Sequence, residues 1–230
     1  MNSLLVMSME AATQVTPFAR LCQAAHLLGR VCNHVNRHVS PGDADIHFSE
    51  ASQLSRALSA LNAMLYEEMF QVQDSHKHTL FSARALAYTA LSILYDVHSC
   101  VEGDEIECIG SSRGLRLDLQ QQAIDGVKQL LRDVYGFAVE IERFVFSNSL
   151  TKVSPLVLAC LHTISGTFAW YHRENGSEAH LASLDYMRGV IKSLEPQWAV
   201  AGKKALDRHF WRAWVESRSK EFAISCIAAP

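Results

Sequence analysis

An all-α fold is the class this sequence predicts, and three observations predict it. Apolar residues recur at steps of three and four through most of the chain. No stretch alternates like a half-buried strand, and no Asn-Gly turn sits between β-branched runs. Only five prolines interrupt 230 residues, which suits long helices, because an interior proline removes a backbone donor and clashes with the preceding turn. We expect a single domain of about seven helices over residues 16–215, around one buried central helix and without a sheet. A poorly ordered lead-in (1–15) would precede it and a tail (216–230) would follow.

The central helix is expected from Leu80 to Cys100. No charge lies between Arg84 and Asp96, and Leu80, Phe81, Leu86, Tyr88, Leu91, Ile93, Leu94, Tyr95 and Val97 cover nearly every direction around the axis. A helix apolar on all sides is packed on all sides or spans a membrane. The uncharged run is about half of the ~20 residues a span needs, so packing is the reading. Near-complete burial is expected for Leu86, Leu91, Ile93 and Leu94.

The other elements follow in order. Thr16-Pro17 supplies a capping hydroxyl and a first-turn proline, opening a helix to about Val39 with Phe18, Leu21, Ala25, Leu28, Val31, Cys32 and Val35 on its core side. Ser40-Pro41-Gly42-Asp43 ends it. A second helix runs from near Ser49 to about Phe70, with Leu54, Ala57, Leu58, Leu61, Leu65 and Met69 inward and Ser59 outward. Beyond the central helix, Glu102 to Gly114 reads as an exposed loop. The longest helix spans about Leu117 to Phe146, its regularity challenged by Gly126 and Gly136. Ser154-Pro155 opens a helix to about His172; Asn175-Gly176-Ser177 turns the chain into another, through Leu181, Leu184, Met187, Val190 and Ile191; and a last helix is expected over Trp198–Val215.

Composition narrows function mainly by exclusion. A net charge of -3 gives no global attraction to nucleic acid or anionic lipid, and no membrane association is expected. The six cysteines are scattered without a C-x-x-C pair, which suits reduced thiols in apolar helices. No positively charged, apolar leader opens the chain, so no secretory signal is expected. G-x-S-x-G, G-x-x-x-x-G-K-[ST] and G-x-G-x-x-G are all missing, leaving no nucleophile, base or cofactor cradle to name. The expectation is a protein that is not an enzyme and has no cofactor.

Candidate binding residues are few. His34 and His38 share a helical face at metal-ligand spacing, yet two imidazoles near a helix C-terminus also suit its dipole without a metal; no metal is expected there. His76 and His78, Glu67-Glu68, and the Asp43, Asp45 and Glu50 group read as solvated. Aromatic residues gather in the C-terminal third, and Phe168, Trp170, Tyr171, Trp198 and Trp211 are the candidates for lining an apolar ligand cavity, with core packing as the plain reading. Lys203, Lys204, Arg208, Arg212, Arg218 and Lys220 make the last helix and tail basic; a solvated face is expected.

Three stretches, taken in order, resemble one family. They are Pro17 to Asn36 (PFARLCQAAHLLGRVCNHVN), the central helix with Arg84-Ala85-Leu86 and Leu94-Tyr95-Asp96, and Ser154-Pro155 through Trp170 continuing to Trp198-Ala199-Val200-Ala201-Gly202. Over roughly residues 17–215 the chain resembles the fungal-specific transcription factor domain, the helical regulatory region of fungal zinc binuclear cluster transcription factors. The family's six-cysteine zinc cluster has no counterpart here, so no DNA contact or zinc ligand carries over to any residue. The resemblance implies a nuclear regulatory part of an RNA polymerase II transcription factor, corresponding to the C-terminal part of the regulatory region. It implies protein partners in the transcriptional machinery or self-association, and a small-molecule inducer. The chain alone would not bind DNA directly. A helical interaction scaffold and an unrecognised all-α enzyme are the other classes the residues leave open.

Overall fold

The computed structural model describes residues 15–99, 111–147, 150–176, 178–194 and 196–198. The expected lead-in (1–15) lies outside these residues except for Val15, as do the expected last helix beyond Trp198, the tail, and most of the loop after the central helix. Six α-helices and no strand occur among the described residues: α1 Pro17–Val35, α2 Ala44–Gln71, α3 His78–Ser99, α4 Ser111–Ser147, α5 Pro155–Asn175 and α6 Glu178–Ser193. Short 3-10 turns at Pro41–Asp43, Asp74–His76 and Leu150–Lys152 join some of them. The domain is all-α. No described helix is long and apolar enough to cross a membrane.

Local signals set several helix ends. Thr16 Oγ1 accepts from the Ala19 amide at 3.2 Å and Ser154 Oγ from Leu156 at 3.2 Å, each with proline at the first helical position. Gly176, at φ 61°, takes the left-handed conformation that closes α5, and its amide reaches the His172 carbonyl at 2.7 Å. Other boundaries move from expectation. α1 stops at Val35, because the Asn36 side chain donates to the Cys32 carbonyl at 2.7 Å and draws the chain out of the helix. α2 begins at Ala44, and α4 begins at Ser111, inside the expected loop.

Helix α3 packs against α1, α2, α4 and α5. Leu80, Phe81, Ala83, Ala87, Ala90, Leu91 and Leu94 are buried. Leu86 and Ile93 are only half-buried, contrary to expectation. With Ser82, Thr89 and Asp96 they form one stripe at steps of three and four, the seam that the four surrounding helices cover least. Aromatic edges stitch α3 to α4: the Phe81 ring meets Phe137 at 5.7 Å and Phe144 at 5.3 Å between centroids.

The inward face of α1 is rotated from expectation, and single positions differ on α2 and α6. On α1, Phe18 and Ala25 are exposed while Arg20, Ala24, Val31 and His34 are buried. On α2, Leu54, Leu58, Leu61, Leu65 and Met69 are buried but Ala57 faces out. On α6, Leu181 is partly exposed where Leu184, Met187, Val190 and Ile191 are buried. The α1 face turns because its buried polar groups have partners on α2, a constraint that apolar spacing does not report.

Gly126 of α4 lies tight against the Tyr95 ring of α3. A Cβ at Gly126 would sit 2.5 Å from the tyrosine Cζ, and the tyrosine hydroxyl meets Ser55 Oγ of α2 at 3.1 Å. At Gly136 an added Cβ meets nothing within 4 Å. Two alanine substitutions in one helix should therefore separate. Gly136→Ala gains helix propensity and should stabilise by about 0.5–1 kcal/mol. Gly126→Ala displaces a packed ring, an overpacking cost of roughly 1–3 kcal/mol that outweighs the same propensity gain. Denaturant midpoints check this; equal shifts for the two variants would contradict the close approach.

Candidate functional site

A recess of about 490 Å³ opens between α2, α3 and α4, lined among others by Asn62, Tyr66, Arg84, Tyr88, Tyr95 and Glu140. Its volume falls in the range of small-molecule sites. The helices deliver these groups by simple spacing: Arg84 and Tyr88 are one turn apart on α3, and Asn62 and Tyr66 one turn apart on α2.

Arg84 is the site's distinctive residue, only 2% exposed among apolar helices. A lone buried guanidinium would be costly, since removing a charge from water carries a penalty of several kcal/mol. It is instead surrounded. Nη1 donates to Glu140 Oε2 at 2.6 Å and Nη2 to the Tyr88 hydroxyl at 2.9 Å. The Phe137 ring lies 4.9 Å from the guanidinium carbon, with the Tyr66 and Tyr88 rings at 5.5 and 5.6 Å, within cation–π reach. Burial pushes the Arg84 pKa down, but Tyr88 and Glu140 outweigh it and hold the value above the ordinary one. Burial likewise raises the Tyr88 pKa, with Arg84 opposing, so the group stays a neutral phenol. Two buried atoms of the lining have no protein partner: Arg84 Nε, a donor, and Asn62 Oδ1, an acceptor. Aromatic walls and one fixed cation–carboxylate pair suit a small planar molecule with hydrogen-bonding groups.

The sequence signal for this site was one that apolar counting treats as an edge. Arg84 reads as the charge that closes the uncharged run, whereas it sits inside the core. The informative pattern was a guanidinium one turn before Tyr88 on an otherwise apolar helix.

The expected aromatic residues are placed differently. Phe168 is buried and Tyr171 half-buried, and both line a second recess of about 530 Å³ with Tyr135 and His180. Trp170 makes an edge contact with Tyr171 at 5.5 Å between centroids and is not among the lining residues. Trp198 donates from Nε1 to the Val153 carbonyl at 3.2 Å, away from that recess. Trp211 lies outside the described residues, as does the expected basic last helix.

Of the acids expected on a solvated face, Asp43, Asp45 and Glu67 are exposed, while Glu50 and Glu68 are paired. Glu68 is bound by Arg20, whose Nε donates at 2.9 Å, and Glu50 by Arg37 and His34. His34 and His38 do not act as a pair: His38 is exposed, while His34 is 1% exposed and turns toward His47 and His98. No family model, curated protein or solved structure matches the chain.

The Arg84–Glu140 pair is asymmetric, with side-chain exposures of 2% and 32%. Glu140→Ala strands a buried cation, and breaking a buried pair in that sense costs about 3–5 kcal/mol. Arg84→Met fills the space with apolar volume and leaves only a carboxylate that reaches water. Chemical denaturation of both variants should rank Glu140→Ala as the more destabilised; the reverse order would show that Arg84 is not held as described.

Proposed function

We propose that this chain is the effector-binding, regulatory part of a fungal transcription factor that controls RNA polymerase II transcription, and that the Arg84 recess admits the small-molecule effector. Two things support the reading: the three resembling stretches in order along the sequence, and a helical domain with a recess of ligand size. The observation that carries the effector role is the ligand-sized recess in which tyrosine rings surround the buried Arg84–Glu140 pair. The recess favours binding over catalysis, because its cation and carboxylate are tied to each other and its tyrosine is held neutral. On this reading the chain acts in the nucleus through protein partners and relies on a separate module for DNA contact.

A second reading, a helical interaction scaffold without a gene-regulatory role, draws on the exposed Phe70 and Phe146, 70% and 84% accessible. One experiment separates the two. The chain is fused to a heterologous DNA-binding module and tested on a reporter gene in a fungal host across carbon and nitrogen sources. We expect reporter output to depend on the growth condition, and Arg84→Met and Asn62→Leu to abolish that dependence at unchanged protein level. Output that never departs from the DNA-binding module alone would overturn the regulatory reading. Output that responds equally in both variants would overturn the recess as its effector site.

A further inference from the structure

Three histidines from three helices converge at the other end of α3. His34 lies in the last turn of α1, His47 in the first turn of α2 and His98 in the last turn of α3. His34 and His47 are buried, at 1% and 8% exposure, and His98 is half-buried. One ring nitrogen from each can be chosen so that all three lie within 4.8 Å of one another. We propose that His34, His47 and His98 form a binding site for one divalent transition-metal ion of the zinc class, with Glu50 as the carboxylate that orients His34. The proposal stands apart from the Arg84 recess and from the regulatory reading.

The chemistry runs from the donor atoms outward. His34 Nε2 and His98 Nε2 are 3.1 Å apart. Two imidazole nitrogens bound tetrahedrally at ordinary zinc–nitrogen lengths are about 3.3 Å apart, so this pair already has the spacing of two ligands. His34 Nδ1 lies 3.3 Å from Glu50 Oε2. A carboxylate can only accept, so Nδ1 carries the proton and Nε2 presents its lone pair to the cluster. This is the carboxylate–histidine arrangement that supports metal ligands. Glu50 is in turn held by Arg37, with Arg30 at 3.6 Å, which keeps the carboxylate directed at the ring.

His47 supplies the third ligand and is the least satisfied of the three. Its Nδ1 is buried without any hydrogen-bond partner. Its ring stacks on His34 at 4.0 Å between centroids and 11° between planes, so binding tilts the ring off that stack and costs Nδ1 no hydrogen bond. Burial first, then His34 and Arg37, lower the His47 pKa to about 4, with Glu50 opposing. Burial and the other two histidines lower His98 to about 3. Imidazole binds a metal ion in its neutral form. Three imidazoles without a thiolate suit a borderline ion such as Zn²⁺, leaving a fourth position for water or a small exogenous ligand. An ion there would tie α1, α2 and α3 together.

Metal analysis and titration of the full chain test this. After chelator treatment, the protein is titrated with Zn²⁺, and separately with Co²⁺ as a visible-absorption probe. We expect one equivalent of Zn²⁺ bound per chain, a raised thermal midpoint, and a tetrahedral-type Co²⁺ spectrum that Zn²⁺ bleaches. Glu50→Gln should weaken affinity by about 10–100-fold. His47→Gln should abolish the stoichiometric site, while His38→Ala, at an exposed histidine, leaves it intact. Wild-type protein without a saturable one-equivalent site would overturn the proposal whatever the variants do. A site equally strong in His47→Gln, or one lost in His38→Ala, would overturn it too.

Discussion

The buried guanidinium of Arg84 constrains the rest of the helical packing around it. It sits on a helix packed against four others, so its charge must be answered from neighbouring elements. Glu140 of α4 supplies the counter-charge and the Phe137 ring lies against the guanidinium. Tyr66 of α2 and Tyr88 of α3 add further aromatic faces. These partners bring α2 and α4 against the side chain and require a register in which Glu140 falls beside Arg84. An apolar core tolerates sliding and repacking far better than a charge network, which is costly when only half satisfied. The recess is a consequence, because three helices spaced to hold an arginine do not close completely over it.

Polar groups also decide how the first two helices dock. Arg20 of α1 reaches Glu68 near the end of α2, and His34 and Arg37 reach Glu50 near its start. These contacts anchor α1 to both ends of α2 and run it antiparallel. They turn Phe18 and Ala25 outward, because the face bearing Arg20 and His34 is the one with partners. Hydrogen bonds to ionised groups contribute about 1.5–3 kcal/mol each, comparable with burying one large apolar side chain. The polar pattern can therefore set the rotation of a helix against its apolar spacing.

Both polar clusters use α3 as their common spine. Arg84 lies in its second turn and His98 in its last, roughly 21 Å apart along the axis at the helical rise. Between them the helix is packed with alanine and leucine: Ala85, Ala87, Ala90, Leu91 and Leu94 are all 5% exposed or less. Small side chains let neighbouring helices approach closely, and Gly126 against Tyr95 is such a case. A dense apolar middle with a polar cluster toward each end makes one rigid element responsible for the geometry of both.

The sequence by itself determined the class of this protein and much of its punctuation. Three-and-four periodicity established helices, and Thr16-Pro17, Ser154-Pro155 and Gly176 marked ends through interactions within a few residues. Such local effects are readable because their partners are adjacent in the chain. The stripe of α2 was legible too, apart from Ala57. What only the tertiary structure decided depends on partners far away. Arg84 meets a carboxylate 56 residues on, and His34 meets His98 across 64. A charge at the edge of an apolar run looks the same in sequence whether it will reach water or a buried partner. A histidine read with its i+4 neighbour looks like a surface pair until another helix supplies the third ring. Desolvation and pairing are properties of the assembled core, so the residues that carry the chemistry here were named by packing, after the helices themselves had been named by the sequence.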